Sequence, residues 1–167
     1  MTSTREQSRD RIVVGIDGSD SSSAALEWAG RQAELTGATL ELLTAWAWPT
    51  TYGAPLGFPP DFDPVADARR VLEAAKGAVL AAHPGIEVHM TVVEESPSLA
   101  LVRASQGAAL LAVGSRGHGE FVGMLLGSVG QHCATNAHCP VLVLRDDQEA
   151  AASDHTATTK EAIVSNR

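Results

Sequence analysis

Five short apolar runs alternate along this chain with longer stretches whose apolar residues recur at helical spacing. Arg11–Asp17 (RIVVGID) sets β-branched residues side by side and predicts a short buried strand, with Asp17-Gly18-Ser19-Asp20 as the turn and helix cap behind it. Ser21–Thr36 reads as a helix with Ala25, Trp28, Ala29 and Leu35 near one face, Trp28 packing it on the sheet, and Gly37 stopping it. Thr39–Trp46 predicts a second strand. The Pro- and Gly-rich segment Pro49–Pro60 is expected to carry no regular structure. Asp63-Pro64, an N-cap followed by proline, opens an alanine-rich helix to about His83, where Pro84-Gly85 ends it.

Ile86–Val93 predicts a third strand, Pro97–Gln106 a helix, Ala108–Val113 a fourth strand and Pro140–Leu144 a fifth, with a helix over Gly127–Asn136 between the last two. Strands alternating with helices at these intervals predict a parallel sheet with helices on both faces. Near-continuous apolar strands such as ALLAV and VLVL fit burial on both faces. A chain of 167 residues suits one such domain, expected over 11–145, after a flexible start at 1–10. From Asp146 onward periodicity stops and small polar residues dominate, so 146–167 is expected to be a disordered acidic tail. A short partner-binding helix around Lys160–Val164 is the alternative.

Composition narrows the partners. The net charge of −8 lacks the basic footprint of a nucleic-acid binder and is repelled by anionic membrane surfaces. No apolar stretch approaches the roughly 20 residues of a membrane span, and Met1–Asp10 has no apolar core of a secretory signal. Two cysteines, Cys133 and Cys139, make no disulfide framework, so a reduced cytoplasmic setting is expected.

Chemistry concentrates where Gly114-x2-Gly117-x9-Gly127-Ser128 leaves the fourth strand. Glycines at a strand exit allow close approach to the backbone, and a Gly-Ser step opening a helix offers free N–H groups and a dipole to an anion. If the first and fourth strands are adjacent, Asp17 and this loop face one crevice. The intervening residues His118–Leu126 form a flap long enough to cover a polyphosphate. The segment is not a P-loop, because no lysine lies between Lys76 and Lys160. It is not a dinucleotide fingerprint either, since Gly117, Gly119 and Gly123 give G-x-G-x3-G. Protein-kinase signatures are absent. On spacing alone, a glycine-rich turn without a ligand stands equal to a phosphate cradle.

The run GSRGHGEFVGMLLGS resembles the universal stress protein family, in its ATP-binding branch, and so do VVGIDGSDSSSAALEWA, LLTA, SPSLALV and HCPVLVLR. The resemblance implies an open five-stranded parallel sheet sandwiched by helices, Rossmann-like and adenine nucleotide alpha hydrolase-like, with strand order 3-2-1-4-5. It implies an ATP-binding stress-response sensor or regulatory module. Gly15, Ile16 and Asp17 then lie beside the nucleoside, and Ala45 presents its backbone to the adenine edge. Gly114 touches the ribose, Arg116 and Gly117 flank the phosphates, and Gly127, Ser128, Val129 and Gly130 hold them on the helix N-terminus. Asp17 is also the candidate for Mg²⁺ brought by ATP. The pair Ala45-Trp46 departs from the aliphatic pair more usual there, so Trp46 or Trp48 either crowds the base pocket or stacks on the base. The family also implies a homodimer through strand Val141–Leu144, whose apolar edge needs cover.

Each of these residues has a plainer reading beside it. Asp17 can serve as a turn acid, Arg116 as a solvated side chain and His118 as a solvated flap residue rather than an acid or base. His132, Cys133, His138 and Cys139 do not make a recognised zinc pattern, and helix geometry sets His132 and Cys133 about 100° apart. A buried Cys133 and a loop Cys139 are expected instead. Glu94-Glu95 and Asp146-Asp147 read as solvated faces. Two further functions remain open: a slow ATP hydrolase, for which only Arg116 offers charge compensation, and a nucleotide-independent dimeric interaction module.

Overall fold

Five apolar runs can be buried together only in a sheet covered on both faces, and the chain builds one. The computed structural model describes residues 10–47, 50–51, 54–55, 63–117 and 126–145. Its elements are β1 (Arg11–Gly15), α1 (Asp20–Thr36), β2 (Thr39–Trp46), α2 (Pro64–Ala82), β3 (Val88–Glu94), α3 (Pro97–Ala104), β4 (Leu110–Gly114), α4 (Ser128–Asn136) and β5 (Val141–Leu144). The five strands are parallel in the order β3-β2-β1-β4-β5. This is the expected Rossmann-like architecture, with boundaries shifted by one or two residues. One expectation fails: within Pro49–Pro60, Thr50–Thr51 and Ala54–Pro55 pair as a short antiparallel ribbon. Pro55 is tolerated there because a two-strand ribbon is all edge.

The helix ends follow the sequence signals. Ser19 caps α1 by accepting the Ser22 N–H, and Gly37, at φ 72°, donates its N–H to the Ala33 carbonyl. Asp63 accepts from the N–H groups of Val65 and Ala66 ahead of Pro64. Leu35 does not join the buried face of α1; it is 76% exposed. At 100° per residue it lies about 120° around the helix from the Ala25–Ala29–Ala33 stripe. Trp28 does pack against the core, partly buried.

Strand alternation divides that core in two. Ile12, Val14, Leu40, Leu42 and Ala112 pack under α1 and α2, while Val13, Leu43, Leu111 and Val113 pack under α3 and α4. The four residues of β5 are only half-buried because the strand is the sheet's edge.

Away from the strands' carboxyl ends, Arg11 ties three elements together. Its Nη1 meets Glu41 Oε2 at 2.5 Å, and its Nη2 donates to the carbonyls of Ala104 and Gln106 at 2.9 and 3.1 Å. Thr91 Oγ1 donates to the other Glu41 oxygen at 2.8 Å. The Arg11 and Glu41 side chains are 29% and 13% exposed, so truncating Glu41 leaves a half-buried guanidinium without its counter-charge, held by the two carbonyls alone among the contacts named. Glu41→Ala is expected to lower the unfolding free energy by about 2 kcal/mol in urea titration, with Glu41→Gln intermediate.

Candidate functional site

From β1 the chain passes to β2 on one side, while β4 lies on the other. The order therefore reverses between β1 and β4, and a crevice opens beyond their carboxyl ends.

One wall is the exit of β1. Gly15 is held by packing, since a Cβ there would stand 3.1 Å from Leu101 Cδ1. Ile16 is buried; its N–H donates to the Leu43 carbonyl at 2.9 Å and its own carbonyl accepts from Thr44 Oγ1 at 2.7 Å. Asp17 then reaches the surface, and Gly18 turns the chain at φ 82°. The N–H and the hydroxyl of Ser19 both donate to Asp17 Oδ1, at 2.9 and 2.6 Å. Oδ2 lies on the loop side, where a Cβ on Gly117 would come within 2.7 Å of it. The acid and the glycine loop do meet.

The second wall is the exit of β4. A Cβ on Gly114 would collide with Ser21 Oγ and lie 2.8 Å from Ser21 C and Ser22 N. The glycine is therefore demanded by the first turn of α1, independently of any ligand. Ser115 is buried; its N–H donates to the Leu144 carbonyl at 2.6 Å and its carbonyl accepts from the Gly127 N–H at 2.7 Å. That second bond pins together the two ends of the glycine segment; its middle, 118–125 with His118, lies outside the described residues. Gly127 caps α4 at φ −69° with no side-chain hydrogen bond, and the first turn carries no acid. Gly130 is buried against Leu126, where a Cβ would come within 2.7 Å of Leu126 Cδ1, and Val129 packs on the α3/α4 side. Ser128 and Arg116 are exposed.

Ala45 is half-buried near the end of β2. The Leu43 carbonyl bonds toward β1 and the Trp46 carbonyl toward β3, accepting the Glu95 N–H. Alternation turns the Ala45 backbone to the β1 side, above the point where β1 has ended. The structure thus gathers Asp17, Gly114, Arg116, Gly117, Gly127 and Ser128 at one crevice, with Gly15 and Ile16 beneath it. Sequence reasoning passed over Ser21, Thr44 and Ser115, and took Ser19 only as part of the turn and helix cap. The serine run after Asp17-Gly18 was the available signal.

The remaining candidates separate. Cys133 is buried, and burial pushes its thiol up to about 11. Cys139 is half-buried before β5; burial raises its thiol against the opposing charge of Arg11. Among the described residues no group of three or more His, Cys, Asp or Glu could hold a metal ion. Glu94 is exposed, but Glu95 is not the solvated acid expected. Its side chain is 18% exposed, with Oε1 accepting from Arg103 Nη2 at 3.0 Å. Its N–H donates to the Trp46 carbonyl at 2.9 Å, and Arg103 on α3 covers the carboxylate. Trp48 and Asp146-Asp147 lie outside the described residues.

The family model described as "Universal stress protein family" matches residues 8–145. Universal stress protein Rv2624c of Mycobacterium tuberculosis is 34% identical over 154 residues, covering 92% of this chain and 55% of that protein. The chain spans about half the length of the curated relatives it matches. Among solved structures, a universal stress protein in complex with cAMP superposes with a TM-score of 0.63 at 31% identity, covering 82% of this chain and 97% of the other. The universal stress protein of Archaeoglobus fulgidus in complex with dAMP shares the fold, with a TM-score of 0.60 at 20% identity over 80% and 96% of the two chains.

Proposed function

The chain belongs to the universal stress protein family, and from that premise we propose that it binds an adenine nucleotide, ATP with Mg²⁺, as a stress-response sensor or regulatory module. The observation that carries this reading is the N-terminus of α4. It is capped by glycine alone, free of acids, and pinned beside Gly117 and Asp17. Such an end presents N–H groups and a positive dipole to phosphate.

In this reading Gly127, Ser128, Val129 and Gly130 hold the phosphates on the helix end, with Arg116 and Gly117 flanking them. Gly114 lies under the ribose, and Asp17 with Gly15 and Ile16 lies beside the nucleoside. The Ala45 backbone meets the adenine edge. Asp17 Oδ2 faces the loop that would carry phosphate, so two negative groups approach each other, and a divalent cation held between them relieves the repulsion. Arg116 alone supplies positive side-chain charge among these residues, which suits binding better than phosphoryl transfer. Binding of the phosphates changes the surface offered to a protein partner at this crevice.

Titration calorimetry with ATP, AMP, cAMP and GTP in Mg²⁺ tests the reading. Adenine nucleotides are expected to bind with Kd on the order of micromolar, and GTP more weakly. A folded protein that gives no heat with any adenine nucleotide overturns it. A homodimer through the β5 edge is a second proposal, supported by the half-buried apolar run Val141–Leu144 at the sheet's edge. Sedimentation of a monomer at micromolar concentration would count against it.

A further inference from the structure

The first turn of α1 touches both walls of the crevice, and its hydroxyl protons are already assigned. Ser19 Oγ lies 2.6 Å from Asp17 Oδ1, and Ser21 Oγ lies 2.5 Å from the Arg116 carbonyl. Each hydroxyl has one proton, and neither the carboxylate nor the carbonyl can donate. The Ser19 proton therefore goes to Asp17 and the Ser21 proton to Arg116, so the 3.3 Å approach of the two hydroxyls carries no bond. Ser19 orients the acid and Ser21 holds the loop, as two separate ties from one helix end.

We propose that Ser21 is a positioning residue for the polyphosphate half of the nucleotide site. The inference rests on the nucleotide-binding reading above. Ser21 is 3% exposed and has no access to the ligand itself. It acts by fixing the Arg116–Gly117 backbone before phosphate arrives. Two features make the tie stiff. The Ser21 backbone lies against Gly114, where not even a methyl group fits, so α1 and β4 are in direct backbone contact at this point. One residue before Arg116, Ser115 is held through its N–H by Leu144 and through its carbonyl by Gly127. Losing the Ser21 bond removes one tie on the Arg116 backbone between that anchor and Gly117, and binding must then order it further.

The test separates the phosphate-binding half from the base-binding half. ATP and adenosine are titrated into the wild-type protein, Ser21→Ala and, as a control, Ser23→Ala. Ser23 lies on the same turn, is exposed, and among the described residues bonds back to the Ser19 carbonyl alone. Ser21→Ala is expected to weaken ATP about tenfold, the effect of one well-made hydrogen bond, and to leave adenosine and the Ser23→Ala titrations unchanged. Equal weakening of ATP and adenosine indicates general loosening of the fold and overturns the proposal, as does an unchanged ATP affinity. If Ser21→Ala does not fold, Ser21→Cys, similar in size and a weaker donor, carries the same contrast at about threefold. Failure of the parent reading looks different, because the wild-type protein then binds neither compound.

Discussion

Gly114→Ala lowers the unfolding free energy by about 3 kcal/mol, shifting the urea midpoint without changing the slope. The methyl group has nowhere to go. Two of the three atoms it meets are backbone, Ser21 C and Ser22 N, each at 2.8 Å in the first turn of α1. A rotamer change relieves the Ser21 hydroxyl but not the backbone, so combining Gly114→Ala with Ser21→Ala restores little. Gly77 provides the contrast. It lies inside α2 with nothing within 4 Å of a built Cβ, so Gly77→Ala raises stability by about 0.5–1 kcal/mol. Equal losses at the two positions would show that the close approach at Gly114 is not what constrains it.

Gly127→Glu weakens ATP by about 100-fold or more while the thermal midpoint stays close to that of the wild-type protein, a combination calorimetry and thermal melting read separately. The φ of −69° at Gly127 suits any residue, and its Cβ would approach the Ser115 carbonyl at 3.3 Å, a contact that a small adjustment relieves. A carboxylate at the start of α4 complements its dipole and puts a negative charge where phosphate would sit. The helix gains what the ligand loses, because the same N–H groups are the phosphate site of the proposed reading. Any phosphate release from ATP that the wild-type protein shows, measured in parallel, is expected to disappear in this variant. Activity that survives would come from a contaminant. Parallel loss of stability and binding would instead make Gly127 a folding residue.

How much of this was legible in the sequence differs by residue. Alternating runs and caps such as Asp63-Pro64 and Gly37 placed every strand of the five-stranded sheet and the four helices among the described residues within a few residues, because those signals act over one turn of chain. Adjacency of β1 and β4 is a long-range property, and periodicity could state it only as a condition. The resemblance to the family supplied the order that the sheet confirms. Gly114 was legible as a glycine that mattered, but its reason, the α1 backbone against it, needed coordinates. Ser21 and Glu95 were invisible for the same cause. A serine in a cap run and a glutamate in an acidic pair look solvated until a distant element closes over them. Leu35 was misread for a simpler reason, since its angle about the helix is fixed by counting.

The brevity of α4 has a consequence for how the protein's stability is distributed. Nine residues with no side chain at the N-cap make a helix too short to persist by itself, so it is held by Cys133, Gly130 and Val129 against the α3/α4 side of the sheet. The segment that offers its N–H groups at the crevice also has little intrinsic helix stability. An anion settling on those groups supplies the missing cap, and the gain extends through α4 toward β5 at the sheet's edge. Amide hydrogen exchange in this last helix-and-strand unit would then slow most when the crevice is filled, because the ligand completes a foldon as well as occupying a site.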